Sequence, residues 1–495
     1  MKLANLLENY ELPYTLENML VAGLCLDSRK IENGELFIAL KGAQSDGKTF
    51  IADARARGAC AALIESNDQA VSLEDGFPCI YYPQLKSKLS ALAGKFFAEP
   101  SRYMDVLGVT GTNGKSTCVS LLAQVANQLD VAAWQLGTVG YGKPGKALID
   151  TGLTTPDAIS CQRILSQAQK TGQSMVAMEV SSHAVAQHRV AGVNFRGGMF
   201  TNISRDHLDY HASFEEYADV KLSFLRDYAM DFVALNYDDE FGKQTIDSEV
   251  LCGREVFSWS LVHSDASVWV SSSIFDLHGV RAMIHSPWGE GELKTELIGE
   301  FNLSNALATL TMLGALEYDF KDILEALARV QGVDGRMQKV PCDDENMPAV
   351  FVDYAHTPDA LQKALTSLQL IGAHNLWVIF GCGGDRDRGK RALMAEVACA
   401  HAQKVIVTSD NPRSEDPQAI IADIQKGLVS SKSEVIEDRE DAIKQCIERL
   451  PADACLLIAG KGHEKYQLVG EARLPFDDYL IAEQALQARS SRSVQ

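Results

Sequence analysis

The sequence predicts an α/β protein of three domains, and three observations predict it. At 495 residues the chain is longer than one hydrophobic core organises, and length alone suggests about three domains. Short apolar runs recur that end in Gly, Asp or other polar residues and alternate with segments of helical spacing. That is the pattern of strands and crossover helices in a mainly parallel sheet. One such run passes straight into a glycine-rich stretch and then a helix, GVTGTNGKST at 108–117.

Residues 1–100 form the first unit, a small α/β domain with the segments LCLDSRKIENGELFIALKGAQSDGKTF and GACAALIES, punctuated by Gly34, Gly42 and Gly47. Residues 101–336 form the second, with strand candidates SMVAMEV, RGGMFTNI and DFVALNYDD. Residues 337–495 form the third. There PAVFVDYAH, NLWVIFGCGGDRD, KVIVTSDNPR and LLIAGKGHE each run from a buried strand into Gly, Asp or Arg. In an open, Rossmann-like sheet ligands bind beyond the carboxyl ends of strands, so these four tails are expected to converge on one cleft. The polar tail ARSSRSVQ is expected to fray.

In the second unit, Val106, Leu107 and Val109 read as a buried strand, and STCVSLLAQVANQL after Lys115 as a helix. The stretch between them is a turn from strand to helix, the setting in which backbone N–H groups and a helix N-terminus cradle phosphates. Gly111, Thr112, Asn113 and Gly114 would form the cradle. Lys115 would reach the β- and γ-phosphates, and Ser116 or Thr117 would offer a hydroxyl to Mg²⁺. Val109 stands where the general phosphate-loop pattern has its first glycine.

Composition excludes several classes. Hydrophobic residues make up 46% and charged residues 23%. No apolar run is long enough to span a bilayer, and the N-terminus lacks a signal segment, so a cytoplasmic location and no membrane span are expected. A net charge of −20 argues against a nucleic-acid surface and requires local cations wherever an anion binds. The 11 cysteines are scattered singly, which fits buried small side chains better than disulfides or structural zinc.

Further runs fit one family. LDSR (26–29), GVTGTNGKST, TTP (154–156), MEVSSHA (178–184), TNISRDHLDYH (201–211), GEFNLSNALA (299–308), GRM (335–337), DYAHTPDAL (353–361), GGDRDRGKR (383–391), DNPRSEDP (410–417) and AGKGHE (459–464) occur in order over nearly the whole chain. In these the chain resembles the Mur ligases of peptidoglycan synthesis, whose ATP loop shares the GxxGTNGKS form with folylpolyglutamate synthetases.

The resemblance implies an ATP-dependent amide ligase working through an acyl phosphate, with Mg²⁺ as cofactor and UDP-muramoyl dipeptide, ATP and an amino acid as substrates. It implies Glu179 and His207 as metal ligands, and Lys221 as a lysine carbamylated by CO₂ that also binds metal. Asn302 and Arg336 would hold adenine and the ATP phosphates. In the first domain, Leu26, Ser28, Ala43, Gln44 and Ser45 would contact the UDP moiety, although relatives often have His where Ala43 and Lys48 stand. Thr154, Thr155, Ser181, Gln187 and Arg189 would contact the muramoyl peptide.

The added amino acid follows from charge. Arg413 of DNPR with Arg386 suits bidentate capture of a second carboxylate, as in meso-diaminopimelate, which lysine lacks. Asp410, Asn411, Gly460 and Glu464 would complete the pocket, with Glu464 accepting from the distal ammonium, and Pro412 fixing the loop. Arg413 and GKGHE argue against a lysine-adding relative or the ligase of the next step. Val109 and DNPR argue against a phosphate-loop kinase or transport ATPase. Intact Lys115, Glu179, His207 and Lys221 argue against a silent sugar-nucleotide-binding regulator. A monomer is expected.

Overall fold

The computed structural model describes all residues except 9, 43–44, 207–209, 252, 277, 343, 345–346 and 494–495. Three main sheets follow one another along the chain. The first has five strands in the order Leu24–Cys25, Leu36–Ala39, Ala61–Ser66, Phe77–Pro83, Ala70–Glu74, all parallel but the last.

The central sheet has ten strands. Its order is Gly289–Thr295, Gly279–Ser286, Val268–Asp276, Glu255–Ser260, Phe232–Asn236, Gly197–Phe200, Asp105–Thr110, Met175–Glu179, Ala133–Gly137, Gly140–Gly142. The strands from Val268–Asp276 through Ala133–Gly137 pair in parallel. Two antiparallel hairpins extend this sheet at one edge, and along their shared strand Gly279–Ser286 burial alternates over Val280–Ile284 as it does when one face is covered. The helix Lys115–Gln128 is buried on nearly every side, between this sheet and the similarly buried helix Glu300–Ala315. The glycine-rich loop is therefore held at both ends by core.

The third sheet runs Gln338–Lys339, Ala349–Asp353, Ala454–Ala459, Asn375–Phe380, Lys404–Val407, Ser433–Val435, parallel except for its first strand. The four tails singled out in the sequence thus leave one edge of one sheet. A two-stranded hairpin, Tyr466–Val469 and Ala472–Pro475, stands above them. The polar tail does not fray within the described residues. The last helix runs Asp478–Ser493, and Arg489 Nη1 donates to the carbonyls of Ile447 and Leu450 at 2.6 Å each. An arginine satisfying carbonyls at another helix's end extends the structure where composition alone suggested disorder.

The domains are joined through packing as well as chain. Ala158 and Ile159 of the central unit sit in the hydrophobic core of the first, and Ser90 Oγ accepts from Gly192 N at 2.9 Å. Ile298 of the central unit packs into the core of the third.

One ion pair buttresses the third sheet. Arg439 and Asp478 are both fully buried, joined at 2.8 and 2.7 Å, and Arg439 also donates to Ala459 O (2.9 Å) and Ser409 O (3.4 Å), the ends of two strands. Removing one partner leaves a buried charge alone, so Asp478→Asn is expected to cost roughly 3 kcal/mol. Denaturant unfolding checks this: Arg439→Met/Asp478→Asn together should lose less than the sum of the single changes.

Candidate functional site

Four adjacent parallel strands of the central sheet end at the site: Asp105–Thr110 in the glycine-rich loop, Met175–Glu179 at a carboxylate, Gly197–Phe200 before Thr201 and Asn202, and Phe232–Asn236 at an amide. The loop is fixed by its neighbours. Thr112 N donates to Asn202 O (2.8 Å), Asn113 N to Asn202 Oδ1 (3.1 Å), and Thr201 Oγ1 to Asn113 O (2.6 Å). Gly111 has φ 139°, and a Cβ there would run into Thr201 Oγ1. Val109 is fully buried in the sheet, and a Cβ on Gly108 would strike Phe224 and Phe195. The departure from the general loop pattern is thus a packing adjustment in the strand, and the cradle begins at Gly111.

Two lysines meet on that loop. Lys115 Nζ donates to Gly111 O (2.9 Å) and Thr112 O (2.8 Å), and Lys221 Nζ to Gly111 O at 2.7 Å. Lys221 lies on the helix Phe214–Asp227, only 1% exposed, with Nζ 4.7 Å from the Tyr217 ring centroid. Burial and the neighbouring Lys115 push its ammonium well below the usual lysine range. Lys115 is lowered by burial too, with Glu179 and Asp206 opposing.

Glu179 is buried and accepts from Thr138 N (2.8 Å) and Thr138 Oγ1 (3.1 Å). The candidates for peptide contact form one network with it. Thr138 Oγ1 bonds Thr154 Oγ1, and Thr155 Oγ1 donates to Glu179 O and accepts from Ser181 N. Arg189 donates to Thr155 O (2.7 Å) and Gln187 Oε1 (2.7 Å), and Gln187 Nε2 to Tyr210 Oη (3.1 Å). Thr138, which reaches both carboxylate oxygens, carries no motif and escaped the sequence reading. His207 lies outside the described residues.

A cleft of about 530 Å³ opens between the central and third domains, lined by Asn113, Gly114, Ser116 and Thr117 on one side and Tyr354, His356, Asp359 and Ala360 on the other. Trp259, Leu261 and Phe301 give it an apolar end. Arg336 crosses the boundary: its Nη2 donates to Ser116 Oγ at 3.2 Å, and its guanidinium stacks 4.4 Å from the Tyr354 ring. Asn113 Nδ2 donates to Asp359 Oδ2 at 3.0 Å, a second bridge from the loop to the third domain. Burial pushes His356 down to about 4, so its ring stays neutral. Asn302 is buried behind the wall, donating to Ile298 O, while its neighbour Asn305 faces the cleft.

The tails of the third sheet converge as their order dictates. Asp410 and Asn411 are buried, and Asp410 is held below the usual carboxylate range, burial being outweighed by Lys461 and Arg439. Gly460 N donates to Asp353 O, and a Cβ there would lie 2.7 Å from Asp410 Oδ2. Arg413, after Pro412, adopts φ 52° and donates through Nη1 to Gly384 O at 2.9 Å. Arg386 is exposed, and a Cβ on Gly383 would meet Arg413 Nη1 at 2.7 Å and Arg386 Cγ at 3.8 Å, so both flank one glycine. Glu464 and Asn411 are joined at 2.7 Å, and both bind Lys461, a buried residue the sequence reading passed over.

In the first domain Leu26 and Ser28 follow the strand Leu24–Cys25, and Ser45 lies in the loop after its parallel neighbour Leu36–Ala39, so these segments leave the same sheet edge. Ser28 is buried and Ser45 exposed. Ala43 and Gln44 lie outside the described residues.

A phosphate-loop cleft closed by a second domain that carries its own acid- and arginine-lined pocket is the architecture of a nucleotide-driven ligase. Three family models match the chain: Mur ligase family, catalytic domain, over 20–96; Mur ligase middle domain, over 109–313; and Mur ligase, glutamate ligase domain, over 335–462. Relatives named UDP-N-acetylmuramoyl-L-alanyl-D-glutamate–2,6-diaminopimelate ligase are similar over nearly full length. That of Ectopseudomonas mendocina is 44% identical, covering 97% of this chain and 98% of its own. That of Coxiella burnetii is 41% identical, covering 95% and 96%. A solved structure of the same name aligns with TM-score 0.70 at 32% identity over 99% of both chains. The ADP complex of MurF from Thermotoga maritima, 16% identical over 96% of this chain and 99% of its own, shares the fold with TM-score 0.64. The chain belongs to the Mur ligase family, and as a member it is an ATP-dependent ligase.

Proposed function

We propose that this chain joins meso-diaminopimelate to the D-glutamyl side-chain carboxylate of UDP-N-acetylmuramoyl-L-alanyl-D-glutamate, using ATP. The observation that supports the reading is that Arg413, Asn411 and Glu464 lie on tails leaving one end of one parallel sheet, in a chain similar throughout to ligases of that name. Domains of 1–100, 101–336 and 337–495 would hold the sugar nucleotide, ATP and the amino acid.

The chemical difficulty is electrostatic: the acceptor carboxylate and the γ-phosphate repel each other where they must meet. Lys115 would exchange the carbonyls of Gly111 and Thr112 for phosphate oxygens, and Arg336, at the junction with the third domain and already at Ser116, would add its charge. The carboxylate oxygen attacks the γ-phosphorus and ADP leaves. The diamine nitrogen then attacks the acyl carbon, loses a proton, and phosphate departs from the tetrahedral adduct.

Mg²⁺ fits the residues present. Glu179 is a buried carboxylate whose hydrogen bonds come from Thr138 alone among the described residues, and Ser116 carries a hydroxyl in the first turn of the loop helix. Bound there, Mg²⁺ supplies the neutralising charge of a Lewis acid on phosphate oxygens. Lys221 as an ammonium would repel it. As a neutral amine, which its burial favours, Lys221 can add to CO₂ and release a proton, and the carbamate is an oxygen ligand. His207 would complete the metal set. Arg386 and Arg413 would grip the distal carboxylate. Thr154, Thr155, Ser181, Gln187 and Arg189 would hold the peptide arm, and Leu26, Ser28, Ala43, Gln44 and Ser45 the uridine end. Among the described residues no helix is long and apolar enough to cross a membrane, and on this reading the enzyme works in the cytoplasm as a monomer.

Phosphate release with purified protein, ATP, Mg²⁺ and the UDP-dipeptide tests the reading directly: diaminopimelate should stimulate it, lysine should not, and equal rates with both would overturn it. Arg413→Ala should raise the KM for diaminopimelate at least tenfold with little change in the KM for ATP, the scale of a charge-assisted pair at ~1.4 kcal/mol. Lys221→Ala should abolish turnover, with partial recovery on adding short carboxylic acids; full unaided activity removes Lys221 from the mechanism. Lys115→Ala should block ATP use while titration calorimetry still detects the UDP-dipeptide.

A further inference from the structure

Glu464, expected to receive the distal ammonium of the substrate, already touches a cation of the protein. Lys461 is fully buried, and its Nζ donates to Glu464 Oε2 and to Asn411 Oδ1, each at 3.1 Å. Asn411 donates through Nδ2 to the same Glu464 Oε2 (2.7 Å) and accepts from Leu468 N on Oδ1 (2.9 Å). The rings of Tyr466 and Phe476 stand 5.8 and 5.9 Å from the ammonium. A fully buried ammonium persists only where its charge is matched and its protons are taken, and here two groups of the amino-acid pocket take them.

The consequences are directional. Both bonds fall on Oε2, so Asn411 and Lys461 together hold one oxygen of the carboxylate and leave Oε1 unused by either. The Asn411 amide cannot flip without setting its nitrogen against Lys461 and Leu468 N, both donors. Lys461 therefore links the tail after Lys404–Val407 to the tail after Ala454–Ala459 and orients the acid and the amide together. We propose that Lys461 is a positioning residue for the amino-acid substrate: through Glu464 and Asn411 it sets the geometry that selects an acceptor carrying a second amine. This rests on the diaminopimelate reading.

Two acceptors separate the possibilities. 2-Aminopimelate carries the reacting amine and both carboxylates of diaminopimelate but no distal amine. Native enzyme should prefer diaminopimelate in kcat/KM. Lys461→Met should raise the KM for diaminopimelate by about tenfold, leave kcat within about twofold, and leave the KM values for 2-aminopimelate and ATP nearly unchanged, as expected for loss of one charge-assisted contact. Lys461→Arg should restore most of the preference, and Lys461→Met/Glu464→Gln should show no further loss beyond Glu464→Gln alone. That double variant also removes the uncompensated carboxylate, so it reports even if Lys461→Met folds poorly. Equal losses for both acceptors, or additive losses in the double variant, overturn the proposal. A native enzyme that ligates neither acceptor overturns the function itself, a result distinct from a native preference that Lys461→Met leaves intact.

Discussion

One backbone carbonyl organises the catalytic half of the molecule. Gly111 O accepts from both Lys115 and Lys221, so two ammonium groups are brought together in a buried site. Two unit charges ~5 Å apart repel by ~3 kcal/mol at an effective dielectric of ~20. The environment decides which one yields. Burial lowers both; Lys115 has Glu179 and Asp206 in its favour and Arg336 against it, whereas Lys221 has Lys115 against it and Asp206 in its favour. Lys221 is thus the better candidate for a neutral amine, and Lys115 for the cation that meets phosphate. The difference between them comes from position, since the side chains are identical.

The same loop couples the domains. Asn113 bonds Asp359 at the start of the helix Pro358–Leu370, and Arg336 bonds Ser116 while stacked on Tyr354. Arg336 is held by the turn around it: Met337 N donates to Asp353 Oδ2 at 2.6 Å, and a Cβ on Gly335 would run into the backbone of Gly462. Gly462 lies in the segment that carries Lys461 and Glu464. The turn that carries Arg336 to the cleft and the segment that carries Lys461 and Glu464 are therefore packed backbone against backbone.

Much of this was legible in the sequence because the chemistry lies in strand tails. The loop, Glu179 and the four tails of the third sheet were visible as apolar runs ending in polar residue types, and parallel order places such ends together, whereas Lys221, within a helix, was singled out only by the family resemblance. Residues acting through another side chain left no such mark. Thr138 follows a strand with nothing around it to distinguish it, and Lys461 reads as part of a glycine-rich tail until Glu464 and Asn411 are seen on its ammonium. The antiparallel edge from Val268 to Thr295 alternates only in part, over Val280–Ile284, and bears no motif. The polar tail misled because composition does not reveal that Arg489 has two carbonyls to satisfy.

Arg413 shows why a motif alone could not give the pocket. Pro412 fixes the residue before it, yet the φ of 52° at Arg413 is unfavourable for a side chain of that size and needs outside support. The hairpin supplies it: Arg413 N donates to Leu468 O, Gly470 N to Arg413 O at 2.7 Å, and Gln467 Nε2 to Asp410 O at 2.6 Å. The far strand of that hairpin carries Arg473, which stacks on Tyr466 and pairs with Asp150 of the central domain at 3.6 Å. Asp150 lies four residues before Thr154, at the head of the network that ends on Glu179. One hairpin thus supports the strained backbone at Arg413 on one strand and reaches the segment before Thr154 from the other, so the third domain's tails and the central domain's network are tied through the same two strands.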